Sequence, residues 1–169
     1  MSTQAEFALA DERATAALGA ALARAIEAAQ VAIRAQGLVV GLSGDLGAGK
    51  TSLIRAALRA LGVTGAVKSP TFTLVEPYVV SSLNFYHFDF YRFTDPEEFS
   101  SAGFREMFGP GAICAIEWPE KAGSRLPTVD LRIALSVAGE GRDASLTATT
   151  QLGATCLQRI TTEMAAPAA

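Results

Sequence analysis

The chain is poor in several things, and each shortage removes a class of function. It carries two cysteines, one tryptophan and one histidine in 169 residues. Cys114 and Cys156 sit in unrelated apolar contexts without C-x-x-C spacing. They read as buried thiols of a reducing cytoplasm, not as a bridge or a metal site. No apolar run approaches the roughly 18 residues of a membrane span, so no membrane partner is expected. Glu6, Asp11 and Glu12 interrupt the start, where a secretory signal would need a basic segment and then an apolar one. The expected location is cytoplasmic. The net charge is −3 and the basic residues are scattered from Arg13 to Arg159. No Lys/Arg cluster follows a nucleic-acid backbone, so tight nucleic-acid binding by this chain alone is disfavoured.

Hydrophobic residues, by contrast, make up 50% of the chain, which predicts a packed interior rather than disorder. The length suits one domain with a real core, over residues 1–164, followed by a frayed tail at 165–169.

Eight residues organise the rest. Gly44-Asp45-Leu46-Gly47-Ala48-Gly49-Lys50-Thr51 match the phosphate-loop pattern G-x-x-x-x-G-K-S/T at every fixed position. The glycines let the backbone approach a phosphate closely, and its N–H groups then form an anion-binding nest. Lys50 supplies charge for the β/γ-phosphates, the Thr51 hydroxyl suits Mg²⁺, and Ser52 continues the binding turn. The helix that follows adds about half a positive charge at its N-terminus. By composition, the fixed positions coincide in about one chain in 200. The context is also right: Leu38–Leu42 is a strand-length apolar run, and Leu53, Ile54, Ala57, Leu58 and Leu61 follow at helical spacing. The pattern predicts a nucleotide-binding protein.

Along the chain, residues 11–36 predict one helix, with Leu18, Leu22, Ala25, Ile26, Ala29 and Ile33 as a stripe packing on the sheet. Leu74–Val80 and Leu83–Phe88 predict strands joined by a tight turn at Ser81-Ser82. So short a link demands antiparallel pairing, hence a mixed sheet. Asp95-Pro96-Glu97-Glu98 is a helix start, with a break near Gly103 and a stop at Gly109-Pro110-Gly111. Ala112–Ile116 is a second fully apolar strand, delivering Glu117 and Trp118 before Pro119. A hairpin over Leu131–Val137 and Ala144–Thr149, then a short helix near Ala154–Glu163, complete the chain.

A phosphate loop with Mg²⁺ needs an acid from another strand. Two acids end strands here, Asp89 and Glu117. Glu117 is favoured on the metal, with Asp89 aligning the attacking water or a metal-bound water; the sequence alone leaves these roles exchangeable. Thr71, after Pro70, is either a switch hydroxyl closing over the γ-phosphate or a simple turn residue. His87 shares the Asp89 face of its strand and is either structural or catalytic. Arg92 is either an arginine finger or an exposed side chain after a strand. Trp118 would pack beside the site.

Four stretches in this order resemble one family, TsaE (YjeE). They are Gly44–Thr51, Ser69-Pro-Thr-Phe-Thr-Leu74, His87-Phe-Asp-Phe-Tyr-Arg92 and Ile116-Glu-Trp-Pro119, within about Thr15–Pro127. The resemblance implies a three-layer α/β phosphate-loop NTPase fold with a mixed sheet. It also implies slow Mg²⁺-dependent ATP hydrolysis in support of bacterial tRNA threonylcarbamoyladenosine synthesis. The implied partner is a TsaD–TsaB heterodimer, with tRNA met only indirectly through that complex. Lys50, Thr51, Thr71, Asp89, Glu117 and Trp118 fall on the family's functional positions. Phe90 and Phe93 stand where the family commonly has leucine, and the C-terminal third carries little of the likeness.

Two other readings share the loop. A small-molecule kinase would need an acceptor pocket and typically an arginine-bearing lid, and no arginine-rich segment occurs. A nucleotide-dependent binding module with little turnover differs only in its kinetics. The Asn-Lys-x-Asp segment of a GTPase is absent.

Overall fold

The computed structural model describes residues 2–166. Among them are seven strands: β1 (Gln4–Leu9), β2 (Leu38–Ser43), β3 (Val75–Val80), β4 (Leu83–Asp89), β5 (Ala112–Glu117), β6 (Leu131–Ala138) and β7 (Gly141–Ala148). They form one sheet in the order β1-β7-β6-β2-β5-β4-β3. The two fully apolar runs, β2 and β5, lie side by side near its centre, because only there are both faces of a strand covered. β6, β2, β5 and β4 are parallel neighbours. Antiparallel strands close both flanks: β7 then β1 beyond β6, and β3 beyond β4. The sheet is mixed, as the Ser81-Ser82 link requires. Both serines take left-handed φ, 49° and 63°, which suits the twist of a two-residue hairpin.

The helices are α1 (Glu12–Ala28), α2 (Gln30–Gln36), α3 (Lys50–Ala60), α4 (Glu97–Ser101) and α5 (Gln151–Ala165). Helices α1, α3 and α5 cover one face of the sheet, around Leu18, Ile26, Leu53, Ile113, Leu146 and Ile160. The other face is covered by α4, two short 3-10 turns and a cluster of phenylalanines. There are therefore three layers, of unequal weight. In the phenylalanine layer, Phe90 stacks on Phe93 at 4.5 Å between ring centroids and meets Phe104 and Phe99. Phe88 and Phe90 point into this layer, so strand alternation turns His87 and Asp89 to the α3 side.

The structure departs from expectation at four points. The segment over 11–36 is two helices bent by 72° at Ala29, not one. Ala-rich propensity carries no signal for that break; tertiary bonding supplies it. The Ile33 carbonyl accepts from Gly111 N at 2.9 Å, which ties α2 beneath the start of β5. The stripe of α1 does not meet the sheet alone but lies between α3 and α5. Gly19 allows this, since a Cβ there would stand 2.6 Å from Ala56 Cβ. Strand β1 was not expected; its alternation is short, and it forms because β7 offers an open edge. The last helix is longer than expected and runs through Ala165, the first residue assigned to the tail; residues 167–169 lie outside the described residues.

Candidate functional site

The loop leaves the C-terminal end of β2 and opens α3, with Gly49 (φ 107°) immediately before the first helical residue, Lys50. Gly44 has φ 143°, and a Cβ there would overlap the Leu135 carbonyl oxygen, so no side chain fits. Strand register does the rest. Glu117 pairs with Leu42 on one side and with Asp89 on the other, so both acids end their strands level with the loop. Ligand crevices of open α/β sheets form at these carboxyl ends.

Glu117, 3% exposed, accepts the Thr51 hydroxyl at 3.0 Å (Oε1) and 2.9 Å (Oε2). His87 Nε2 stands 2.7 Å from Glu117 Oε2. Asp89 Oδ2 accepts from Ser69 Oγ at 2.7 Å and from Thr71 Oγ1 at 3.5 Å, while Oδ1 accepts from Tyr91 N at 2.9 Å. The Thr71 segment is thereby tied to the strand-end acid. The Lys50 ammonium donates to the carbonyls of Gly44 and Asp45, the latter at 2.9 Å, and lies 4.4 Å from the centroid of the Trp118 ring. Burial holds its pKa below the usual lysine value of 10.5 and outweighs the opposing pull of Glu117, Asp89, Glu120 and Asp45. Trp118 itself takes φ 60°, and this strained turn at the end of β5 brings the ring under the lysine.

Lys50, Thr51, Asp89, Glu117 and Trp118 line a cleft of about 720 Å³, with Leu46, Gly47, Gly49, Ser52, Ser69, Thr71 and Tyr91 in its walls. Of the expected loop residues, Gly44 and Asp45 contribute backbone carbonyls to Lys50, and Ala48 turns into the core. Arg92 is not a wall of the cleft; its guanidinium sits over the exposed Phe72 ring at 4.2 Å. Three contributors escape sequence reasoning. Arg142, from β7, donates to the carbonyls of Ala48 (3.0 Å) and Gly47 (3.2 Å), bracing the loop, and is itself a wall of the cleft. No local signal links residues so far apart in the chain. Ser69 was legible only as part of its motif. The start of α1 (Asp11, Glu12, Thr15) forms the far wall with Glu140.

Among the described residues, no group of three or more His, Cys, Asp or Glu side chains forms a ready cage for a metal. Mg²⁺ does not need one, since it is held by one or two carboxylates plus substrate phosphates. The donors here, a threonine hydroxyl and two carboxylates beside the Lys50 ammonium, are hard oxygens of the right kind.

A mixed α/β sheet with a glycine-rich loop between a central strand and a helix, facing acids from two neighbouring strands, defines the phosphate-loop fold class. The family model for "Threonylcarbamoyl adenosine biosynthesis protein TsaE" matches residues 9–144, and the chain belongs to the TsaE family. It is 47% identical over 116 residues to the tRNA threonylcarbamoyladenosine biosynthesis protein TsaE of Haemophilus influenzae, covering 69% of this chain and 73% of that one. It is 37% identical over 126 residues to the protein of the same name from Bacillus subtilis, covering 74% and 78%. The crystal structure of Bacillus subtilis YdiB superposes with a TM-score of 0.76 at 28% identity, over 96% of this chain and 97% of that one. Among the described residues, no single helix is long and apolar enough to cross a membrane.

Proposed function

We propose that this chain binds and slowly hydrolyses ATP with Mg²⁺, and that it serves tRNA threonylcarbamoyladenosine synthesis as the ATPase partner of a TsaD–TsaB complex. Family membership supports the pathway. The observation that carries the chemistry is the Glu117 carboxylate on the Thr51 hydroxyl at the first turn of α3, level with Asp89 across the register.

The loop amides and the N-terminus of α3 bind the phosphates. Lys50, held near the loop by Gly44 and Asp45, turns its ammonium to the charge that develops on the transferred group. Thr51 and Glu117 would hold the metal, with Asp89 beside them; when bound, Mg²⁺ would supply neutralisation of the phosphate charge. Asp89 orients the attacking water, and the Ser69 and Thr71 hydroxyls hold its carboxylate in position. Thr71 closes with its loop over the reacting phosphate, so water access is gated by a segment anchored on that same acid. Trp118 packs beside the phosphate end of the site.

The test is phosphate release by the purified chain, alone and then with the TsaD–TsaB pair and tRNA, against a panel of small phosphate acceptors. ATP hydrolysis that becomes productive with the partners supports the proposal. Phosphate transfer to an acceptor assigns a kinase instead, and binding without turnover under every condition assigns a binding module.

A further inference from the structure

Among the described residues, His87 is the one fully buried polar side chain that the proposed reaction does not use. Its exposure is 0%, and its ring makes a single hydrogen bond, from Nε2 to Glu117 Oε2 at 2.7 Å. Nδ1 has no hydrogen-bond partner among the described residues. A buried polar ring with one nitrogen unpaired costs stability that an apolar side chain would not incur. Packing therefore does not account for a histidine at this position of β4. The bond does.

Glu117 reaches Thr51 through three side-chain torsions, and a single hydroxyl bonded to both oxygens does not fix the carboxylate plane. A second donor on Oε2, arriving from the adjacent strand, does fix it. The partner also assigns the tautomer. Oε2 is an acceptor, so the proton sits on Nε2, whereas a proton on Nδ1 would face no acceptor and set a lone pair against the carboxylate.

We propose that His87 is a positioning residue for the metal side of the site. Its Nε2–H holds the Glu117 carboxylate on Thr51 and thereby sets the affinity for Mg²⁺ of the bound nucleotide. This rests on the reading of Glu117 and Thr51 given above. Partners that orient a metal ligand typically govern about tenfold to a hundredfold in metal affinity.

Two measurements test it. Because His87 is the only histidine, the tag-free chain labelled with ¹⁵N-histidine gives one imidazole spectrum. The expected ring is protonated at Nε2 and bare at Nδ1, with an Nε2–H signal that moves in Glu117→Ala. A ring protonated at Nδ1, or an Nε2–H signal indifferent to Glu117→Ala, overturns the proposal. The second measurement is ATP affinity with Mg²⁺ and with EDTA, by calorimetry. His87→Leu should lose about tenfold to a hundredfold of the Mg²⁺ advantage with metal-free affinity unchanged. His87→Gln, whose amide nitrogen reaches the Nε2 position, should retain that advantage. An unchanged advantage in His87→Leu, or equal loss in both variants, makes the histidine merely structural. Should His87→Leu fail to fold, the spectrum and His87→Gln decide alone. A wild-type chain that binds no nucleotide at all overturns the nucleotide reading and this inference together; normal binding with an unaltered advantage in the variants overturns this inference only.

Discussion

Replacing Glu117 by glutamine removes one charge and almost no volume, which separates binding from folding. The carboxylate accepts from Thr51 and from His87. A glutamine can keep both contacts in neutral form, its oxygen accepting from His87 and its NH₂ donating to the Thr51 oxygen. Charge-assisted bonds contribute about 1.5–3 kcal/mol and neutral ones about 0.5–1.5, so the exchange gives up about 1 kcal/mol per bond. Against this, a carboxylate only 3% exposed no longer needs to be desolvated, a saving on the order of several kcal/mol. The fold should be as stable as before, or more so. Mg²⁺-ATP should fare differently, because a full charge is lost beside the metal. One charge-assisted contact of about 1.5–3 kcal/mol corresponds to roughly tenfold to 150-fold in affinity. The assay is calorimetric titration of Glu117→Gln with ATP in Mg²⁺ and in EDTA, beside a thermal melt. The reasoning fails if affinity falls equally in both buffers, or if the melting temperature drops sharply along with it. Either result would make Glu117 a structural acid.

Lys50→Ala should cut ATP turnover by about tenfold to a thousandfold, the scale for removing one charge-stabilising donor; unchanged hydrolysis rejects the loop assignment. The lowered pKa of Lys50 has a definite sign: its ammonium is lost as pH rises, before an ordinary lysine at 10.5 would lose it. In the window below 10.5, anion affinity should fall with pH while stability rises, because the unfolded chain keeps its proton longer. Phosphate binding and melting temperature across alkaline pH check both directions. Trp118 is the sole tryptophan and lies 4.4 Å from the Lys50 ammonium, so ATP that draws the lysine away should change its fluorescence; a constant signal at saturation places the ring off the site. Arg142→Ala releases the Gly47 and Ala48 carbonyls. It should weaken ATP about fivefold, for a loss of about 1 kcal/mol, with no difference between Mg²⁺ and EDTA; a metal-dependent effect would contradict its role as a brace.

What could be read locally was settled by local physics. The loop follows from its glycines and lysine, the two central strands from apolar runs without alternation, and the antiparallel flank from a two-residue link. The hairpin at Gly139–Arg142 and the start of α4 follow from turn and cap chemistry, Glu98 Oε2 accepting from Asp95 N at 3.1 Å and Asp95 Oδ1 from Glu97 N at 2.9 Å. Period-two alternation even puts His87 and Asp89 on one face. The chain alone does not say which strands become neighbours. That β5 sits between β2 and β4 brings Glu117 onto Thr51 and beside Asp89. The bend at Ala29, the edge pairing of β1, the His87–Glu117 bond and the Arg142 brace follow from the same packing. Each depends on groups far apart in the chain, which meet only once burial has fixed the sheet order, and neither propensity nor periodicity reaches that distance.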